Sequence, residues 1–168
     1  MPTIKAFRMD GLGNKFVIVD RRKDIVNITK EKIIHLGNLE SFHREIGFDQ
    51  IIFIEREIDK AFPITIFNSD GGEVSACGNG SRCVAYLLGK DLNTKEVKLK
   101  TNNRLLNAKI VGHLDVELAM GKPIFEWNKI PLSKNLDHSN ITLNIEDKTF
   151  ADGFCLNVGN PHIIFFVK

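Results

Sequence analysis

Phe67-Asn68-Ser69-Asp70-Gly71-Gly72-Glu73-Val74-Ser75-Ala76-Cys77-Gly78-Asn79-Gly80-Ser81-Arg82-Cys83 is the stretch around which the chain is organised. Before it, Pro63-Ile64-Thr65-Ile66 is a β-branched run that reads as a strand. After it, Val84-Ala85-Tyr86-Leu87-Leu88 is apolar and ends at Gly89. Residues 68–72 therefore read as a turn leaving a strand. The segment from Gly78 reads as the opening of a helix that is apolar on most sides, and so buried. That places Cys77 at the helix start.

A thiol at such a position has a chemical consequence. Helix N-termini leave backbone N–H groups without partners and carry partial positive charge, and both favour the thiolate. Gly78 and Gly80 let a ligand approach the backbone closely, and the free amides suit a carboxylate. The stretch thus reads as a reactive thiol beside an anion cradle. Other readings compete. Cys77 and Cys83 can be paired as a disulfide, although nothing in the sequence points to an oxidising compartment. As zinc ligands they lack the usual short spacing and a second pair. As a dinucleotide loop, the Gly-x-Gly has Cys83 where a third glycine belongs. Cys83, inside the apolar run, reads as an ordinary buried thiol.

The rest of the chain sets the frame. Its 168 residues suffice for one compact domain or two small ones, with an ordinary apolar fraction. The formal charge of +2 is spread over interspersed lysines and acids, with no basic face for nucleic acid. The longest apolar runs, residues 51–54 and 163–167, have strand length and are too short to span a bilayer. The first residues show no signal-peptide pattern. Three scattered cysteines fit a reducing, cytoplasmic setting.

Residues 4–9 and 16–19 read as strands around a turn at Gly11 and Gly13, with Asn14 on its exit. Thr29 is the expected N-cap of a helix through about Leu36, with Glu31 in its first turn. His35 and His43 read as solvated histidines. Gly47-Phe48-Asp49-Gln50 leads into a buried strand over 51–54, with Gln50 as the polar residue at its mouth. Strands are expected over 97–101 and 105–111 around Asn102-Asn103. Residues 113–120 alternate, with Leu114, Val116, Leu118 and Met120 on one face. Pro123 and Pro131 bracket a loop holding Trp127. Short strands follow at 141–145 and 154–158, then a turn at Gly159-Asn160-Pro161-His162 and a final strand at 163–167. There is no internal repeat. Many short strands with one buried helix predict an α+β fold, a strongly curved, mostly antiparallel sheet wrapped around that helix.

The run from Asn68 to Cys83 closely resembles the signature of the diaminopimelate epimerase family. Gly11-Leu12-Gly13-Asn14, Gly47-Phe48-Asp49-Gln50 and Gly159-Asn160-Pro161-His162 agree with it, in the right order. The resemblance spans essentially the whole chain but only the N-terminal half of the family. It implies a barrel-like sheet around the central helix, that residues 1–168 are a single N-terminal domain, and that a similar C-terminal domain faces it across a cleft. Asp10 and Lys15 stand where the family usually has His and Asp, which alters the electrostatics of that turn.

The family interconverts LL- and meso-diaminopimelate, a step toward lysine and peptidoglycan precursors, with neither pyridoxal phosphate nor metal. One thiolate removes the α-proton and a thiol on the opposite face returns one. The resemblance implies that Cys77 is one acid/base group. Gly78 and Asn79 offer backbone N–H groups to the α-carboxylate. Asn14, Asn68 and Asn160 bind substrate polar groups, Gln50 positions the reacting centre, and His162 assists Cys77. Cys155 follows a strand pattern and is not the second base. The implied partners are an amino-acid substrate and the C-terminal domain of the same enzyme, with a homodimer as a further arrangement; no cofactor is implied. This chain alone is expected to be inactive. Three alternatives stand beside this reading: a proline or hydroxyproline racemase, a half-domain that binds an amino acid or partner without turnover, and a cysteine hydrolase using Cys77 and His162.

Overall fold

The computed structural model describes residues 5–41, 44–45, 47–102 and 104–167, with only the backbone for 40, 41, 44 and 45. The expectations for the first four residues, for His43 and for Asn103 lie outside the described residues. The chain forms two compact units, residues 1–119 and 120–168.

In the first unit the elements run β1 (Ala6–Gly11), β2 (Asn14–Asp20), α1 (Lys30–Gly37), β3 (Glu40–Ser41), β4 (Arg44–Glu45), β5 (Gln50–Ile54), β6 (Phe62–Asn68), β7 (Glu73–Val74), α2 (Gly78–Leu92), β8 (Glu96–Lys100), β9 (Leu105–Gly112) and β10 (Asp115–Ala119). The main sheet has the order β1-β2-β5-β6-β8-β9-β10, with β7 beside β6; β3 and β4 pair separately. Two neighbouring pairs are parallel, β2 with β5 and β6 with β8. Parallel strands need a crossover. The sequence supplies one in each gap, α1 between β2 and β5 and α2 between β6 and β8. The sheet curls around α2, which touches β1, β2, β5, β8, β9 and β10.

Alternation along the strands explains the burial. Phe16 and Ile18, Ile52 and Ile54, and Ile64 and Ile66 join Val84, Ala85 and Leu88 of α2 in one core. The intervening Val19, Ile51 and Phe53 meet Ile33 of α1 and Phe48 on the other face. Residues 51–54 are buried throughout because that strand is covered on both sides. Each such side chain contributes about 1.5–3 kcal/mol of burial.

Local signals act as expected at several points. Leu12 and Gly13, at φ 51° and 88°, make the two-residue turn from β1 to β2. Asp10 and Lys15 face each other across that hairpin, so the two departures from the family pattern are opposite charges in one cross-strand pair. Thr29 Oγ1 caps α1, accepting from the Lys32 N–H at 3.4 Å, and His35 is exposed.

The central helix continues beyond the apolar run to Leu92, where Asn93 closes it in the left-handed conformation. Three expectations need correction. Leu114 does not share the inward face with Val116 and Leu118. It sits in the β9–β10 turn at φ 58° and is 66% exposed. In the second unit, β11 (Ile141–Ile145), β12 (Lys148–Asn157) and β13 (Pro161–Ile164) form an antiparallel sheet over Ile130, Ile141 and Cys155. There β12 starts at Lys148, well before the expected position, because Lys148 and Thr149 pair with Ile145 and Asn144 across a tight turn. The last strand is shifted: Pro161 and His162, expected in the turn, already pair with Asn157 and Leu156, and the strand ends at Ile164.

Candidate active site

The inward-facing series of three adjacent strands end in amides. Along β2 the series is Asn14, Phe16, Ile18; along β5 it is Gln50, Ile52, Ile54; along β6 it is Ile64, Ile66, Asn68. Register puts the polar ends together, since Phe16 pairs with Gln50 and Gln50 with Asn68. The apolar members of each series pack on α2, and the amides extend the same face beyond the core. Gln50 Nε2 donates to Asn68 Oδ1 at 2.9 Å. Gln50 Oε1 is buried and meets no donor among the described residues, a cost of about 1–3 kcal/mol that calls for an explanation outside packing.

The turn after β6 delivers the chain to α2. Asn68 N–H donates to the Gly72 carbonyl, and Asp70 Oδ1 accepts the Gly72 N–H. Cys77 is the N-cap of α2, and its half-buried sulfur accepts the Gly80 N–H at 3.4 Å. Among the described residues, the Gly78 and Asn79 N–H groups have no acceptor, as expected of the first turn of a helix. Gly80 brings α2 down onto the strands: a Cβ there would lie 2.5 Å from Ile52 Cδ1, 3.2 Å from Phe16 Cε1 and 3.5 Å from Cys77 Sγ. The thiol therefore stands at the edge of the same core whose strands end in Asn14, Gln50 and Asn68. Asn79 Nδ2 donates to Asn14 Oδ1 at 3.0 Å, tying the helix start to the β1–β2 hairpin.

All three cysteines are free thiols. Cys77 and Cys83 are six residues apart on one helix, about 9 Å of rise, more than the roughly 7 Å a disulfide spans. Burial pushes the Cys83 thiol up, with the neighbouring Cys77 adding to the shift, and burial does the same for Cys155. Cys155 lies within β12, whose N–H donates to the His138 carbonyl, and not at a helix start.

Asn160 and His162 belong to the second unit. There they meet at the β12–β13 turn, with Asn160 Oδ1 and His162 Nε2 3.1 Å apart. Within the first unit, Asn14, Gln50, Asn68, Gly78, Asn79 and Cys77 are gathered at one end of the sheet and helix. Two residues of this network escaped the sequence reading, Asp49 and Arg82. Asp49 Oδ2 accepts the Lys15 N–H at 2.8 Å and Asn14 Nδ2 at 3.4 Å, and Arg82 Nη2 donates to Asn79 Oδ1 at 2.5 Å. The signal lay in the quoted motifs, where each charged residue sits within three positions of a candidate amide. Among the described residues, no group of three or more His, Cys, Asp or Glu side chains is placed to hold a metal. Among the described residues, no helix is long and apolar enough to cross a membrane.

A curled mixed sheet wrapped on one buried helix is similar in fold to solved structures named as epimerases. A hydroxyproline epimerase from Agrobacterium vitis, solved with bound trans-4-hydroxy-L-proline, aligns with TM-score 0.61 at 14% identity, over 96% of this chain and 51% of that one. A predicted epimerase from Pseudomonas aeruginosa aligns equally well, with TM-score 0.61 at 15% identity, over 98% and 60%. At such identities the likeness is one of fold. Sequence goes further: the family model described as diaminopimelate epimerase matches residues 6–126. Proteins named diaminopimelate epimerase from Pelagibacter ubique and from the Wolbachia of Brugia malayi are 47% and 38% identical over 98% and 95% of the chain. The chain belongs to the diaminopimelate epimerase family. It spans about 60% of the length of these relatives.

Proposed function

We propose that this chain supplies one half of the active site of a diaminopimelate epimerase, with Cys77 as one of two acid/base thiols. The observation that carries the reading is the meeting of three inward-facing amides, Asn14, Gln50 and Asn68, with a thiol and two unpaired N–H groups at one helix start. An amino-acid α-proton is weakly acidic, so its removal needs charge stabilisation at the carboxylate. The Gly78 and Asn79 N–H groups supply preorganised donors for it, strongest once water is excluded.

In the proposed reaction, the Cys77 thiolate takes the α-proton and becomes a thiol, leaving the electron pair on the α-carbon. A second thiol, on the opposite face, gives its proton to that carbon and becomes the thiolate. Asn14 and Asn68 hold substrate polar groups, and Gln50 fixes Asn68. Asn160 is assigned to substrate binding and His162 to a supporting role, as the resemblance implies. The second thiol and the rest of the enclosure come from a C-terminal domain of the type that completes the longer relatives. Residues 1–168 act as the N-terminal domain of that pair and do not turn substrate over alone. Neither pyridoxal phosphate nor a metal enters the scheme, and the enzyme works in the cytoplasm on lysine and peptidoglycan precursors.

The test follows solvent deuterium into the α-carbon of diaminopimelate alongside chiral analysis. The 168-residue chain alone should give neither exchange nor inversion. Adding a separately expressed C-terminal domain should give both, and Cys77→Ala should abolish them. Stereoinversion by the isolated chain would defeat the two-thiol scheme. An acyl-enzyme burst with thioesters, without α-proton exchange, would instead favour a hydrolase.

A further inference from the structure

The proposed function puts Asn14 and Asn79 against the substrate, and the inference here rests on that reading. Neither amide is held by packing alone. Arg82 Nη2 donates to Asn79 Oδ1, Asn79 Nδ2 to Asn14 Oδ1, and Asn14 Nδ2 to Asp49 Oδ2, at 2.5, 3.0 and 3.4 Å. The same Asp49 oxygen accepts the Lys15 N–H at 2.8 Å, which anchors the carboxylate to the backbone of β2.

The direction of this chain is dictated by its ends. A guanidinium has only donors and an ionised carboxylate only acceptors, whereas an amide has one end of each kind. Turning Asn79 over would set its NH2 against Arg82 and its oxygen against the oxygen of Asn14. Turning Asn14 over would set its oxygen against the Asp49 carboxylate. Each error breaks a charge-assisted bond and leaves like poles facing, so one polarity is selected for both amides. In that polarity each amide uses one N–H within the network and keeps one over. Asn79 thus carries a spare side-chain donor as well as a backbone N–H with no acceptor among the described residues.

We propose that Asp49 and Arg82 are positioning residues that lock the Asn14 and Asn79 amides in one polarity, so that the site presents N–H donors to a carboxylate-bearing substrate. Neither residue need touch the substrate.

The test uses the full-length enzyme and two readouts. The first is the pair of side-chain 15N–1H amide signals of Asn14 and Asn79, assigned through Asn14→Asp and Asn79→Asp. The second is the split between KM and kcat for diaminopimelate. In Asp49→Leu and Arg82→Met both amides should shift and exchange faster with water, and KM should rise about tenfold with kcat changing less, the effect of losing one charge-assisted bond behind a binding group. Asp49→Asn keeps an oxygen for the Lys15 and Asn14 donors and should recover most of the KM. If Asp49→Leu fails to fold, Arg82→Met and Arg82→Lys read the same relay from its other end. Amide signals and KM unchanged in folded Arg82→Met and Asp49→Leu would overturn the proposal, as would loss in Asp49→Asn equal to that in Asp49→Leu. The two readings fail separately. Amides that respond in an enzyme with no epimerase turnover support the relay and defeat the functional reading, whereas normal turnover with unresponsive amides does the reverse.

Discussion

Gly80→Ala tests how the thiol is seated. The new methyl would lie 2.5 Å from Ile52 Cδ1 and 3.2 Å from Phe16 Cε1. Both side chains are 0% exposed, so neither has free space to enter. Ile52 must leave its rotamer or α2 must lift, and overpacking of this kind costs about 1–3 kcal/mol. Alanine in a helix is favoured over glycine by about 1 kcal/mol, but Gly80 is in the first turn, where that gain is partial. The net expectation is a loss of about 1–2 kcal/mol, a fall in Tm of roughly 3–8 °C for a domain of this size. Lifting the first turn also moves Cys77, whose sulfur lies 3.5 Å from the added carbon and accepts the Gly80 N–H. Alkylation of Cys77 should therefore change in the folded variant. The assays are urea unfolding followed by fluorescence or circular dichroism, and timed iodoacetamide labelling with peptide mapping. A variant as stable as the parent, with unchanged Cys77 labelling, would show that the helix start does not rest on Phe16 and Ile52.

Iodoacetamide at neutral pH should label Cys77 first in the parent, since burial pushes up the thiols of Cys83 and Cys155; preferential labelling of either would contradict the site assignment. Asp20 accepts from Arg22 Nε at 2.9 Å and Nη2 at 2.7 Å, and Arg22 also reaches Asp91. The side-chain bond to Arg22 holds the Asp20 carboxyl below its ordinary value of 3.8. Its stabilisation is therefore present above the unfolded pKa and lost as pH falls through the lower folded one. Asp20→Asn should cost about 1–2 kcal/mol at pH 7 and flatten stability against pH below about 4, measured by urea unfolding across pH. Asn93 ends α2 at φ 52°, so Asn93→Gly should hold or raise the unfolding midpoint, while Asn93→Val should lower it by about 1 kcal/mol or more in free energy.

What could be read from sequence is what depends on near neighbours. The Leu12-Gly13 turn, the Thr29 cap, the buried run at 51–54 and the helix opening after Cys77 each rest on a few consecutive residues. The chemistry and spacing of those residues permit little else. The misreadings have the same origin. Pro161 is a local turn signal, yet β13 begins there, because long-range strand pairing outweighs it.

The gathering of the site is of another kind. Asn14, Gln50 and Asn68 are separated by 36 and 18 positions, and nothing within a short window says that they share a face. That depends on β2 lying parallel to β5 and β5 antiparallel to β6 in one register. A slip of one residue would turn every side chain of a strand to the other face, so packing Phe16, Ile18, Ile52 and Ile66 inward also selects the positions of the amides. The polarity of the Asn14 and Asn79 amides is more distant still from sequence. It requires Arg82 of α2 and Asp49 beside β5 to stand at opposite ends of one hydrogen-bonded row. A local motif can name the groups that form such a row, but only three-dimensional proximity sets which end donates.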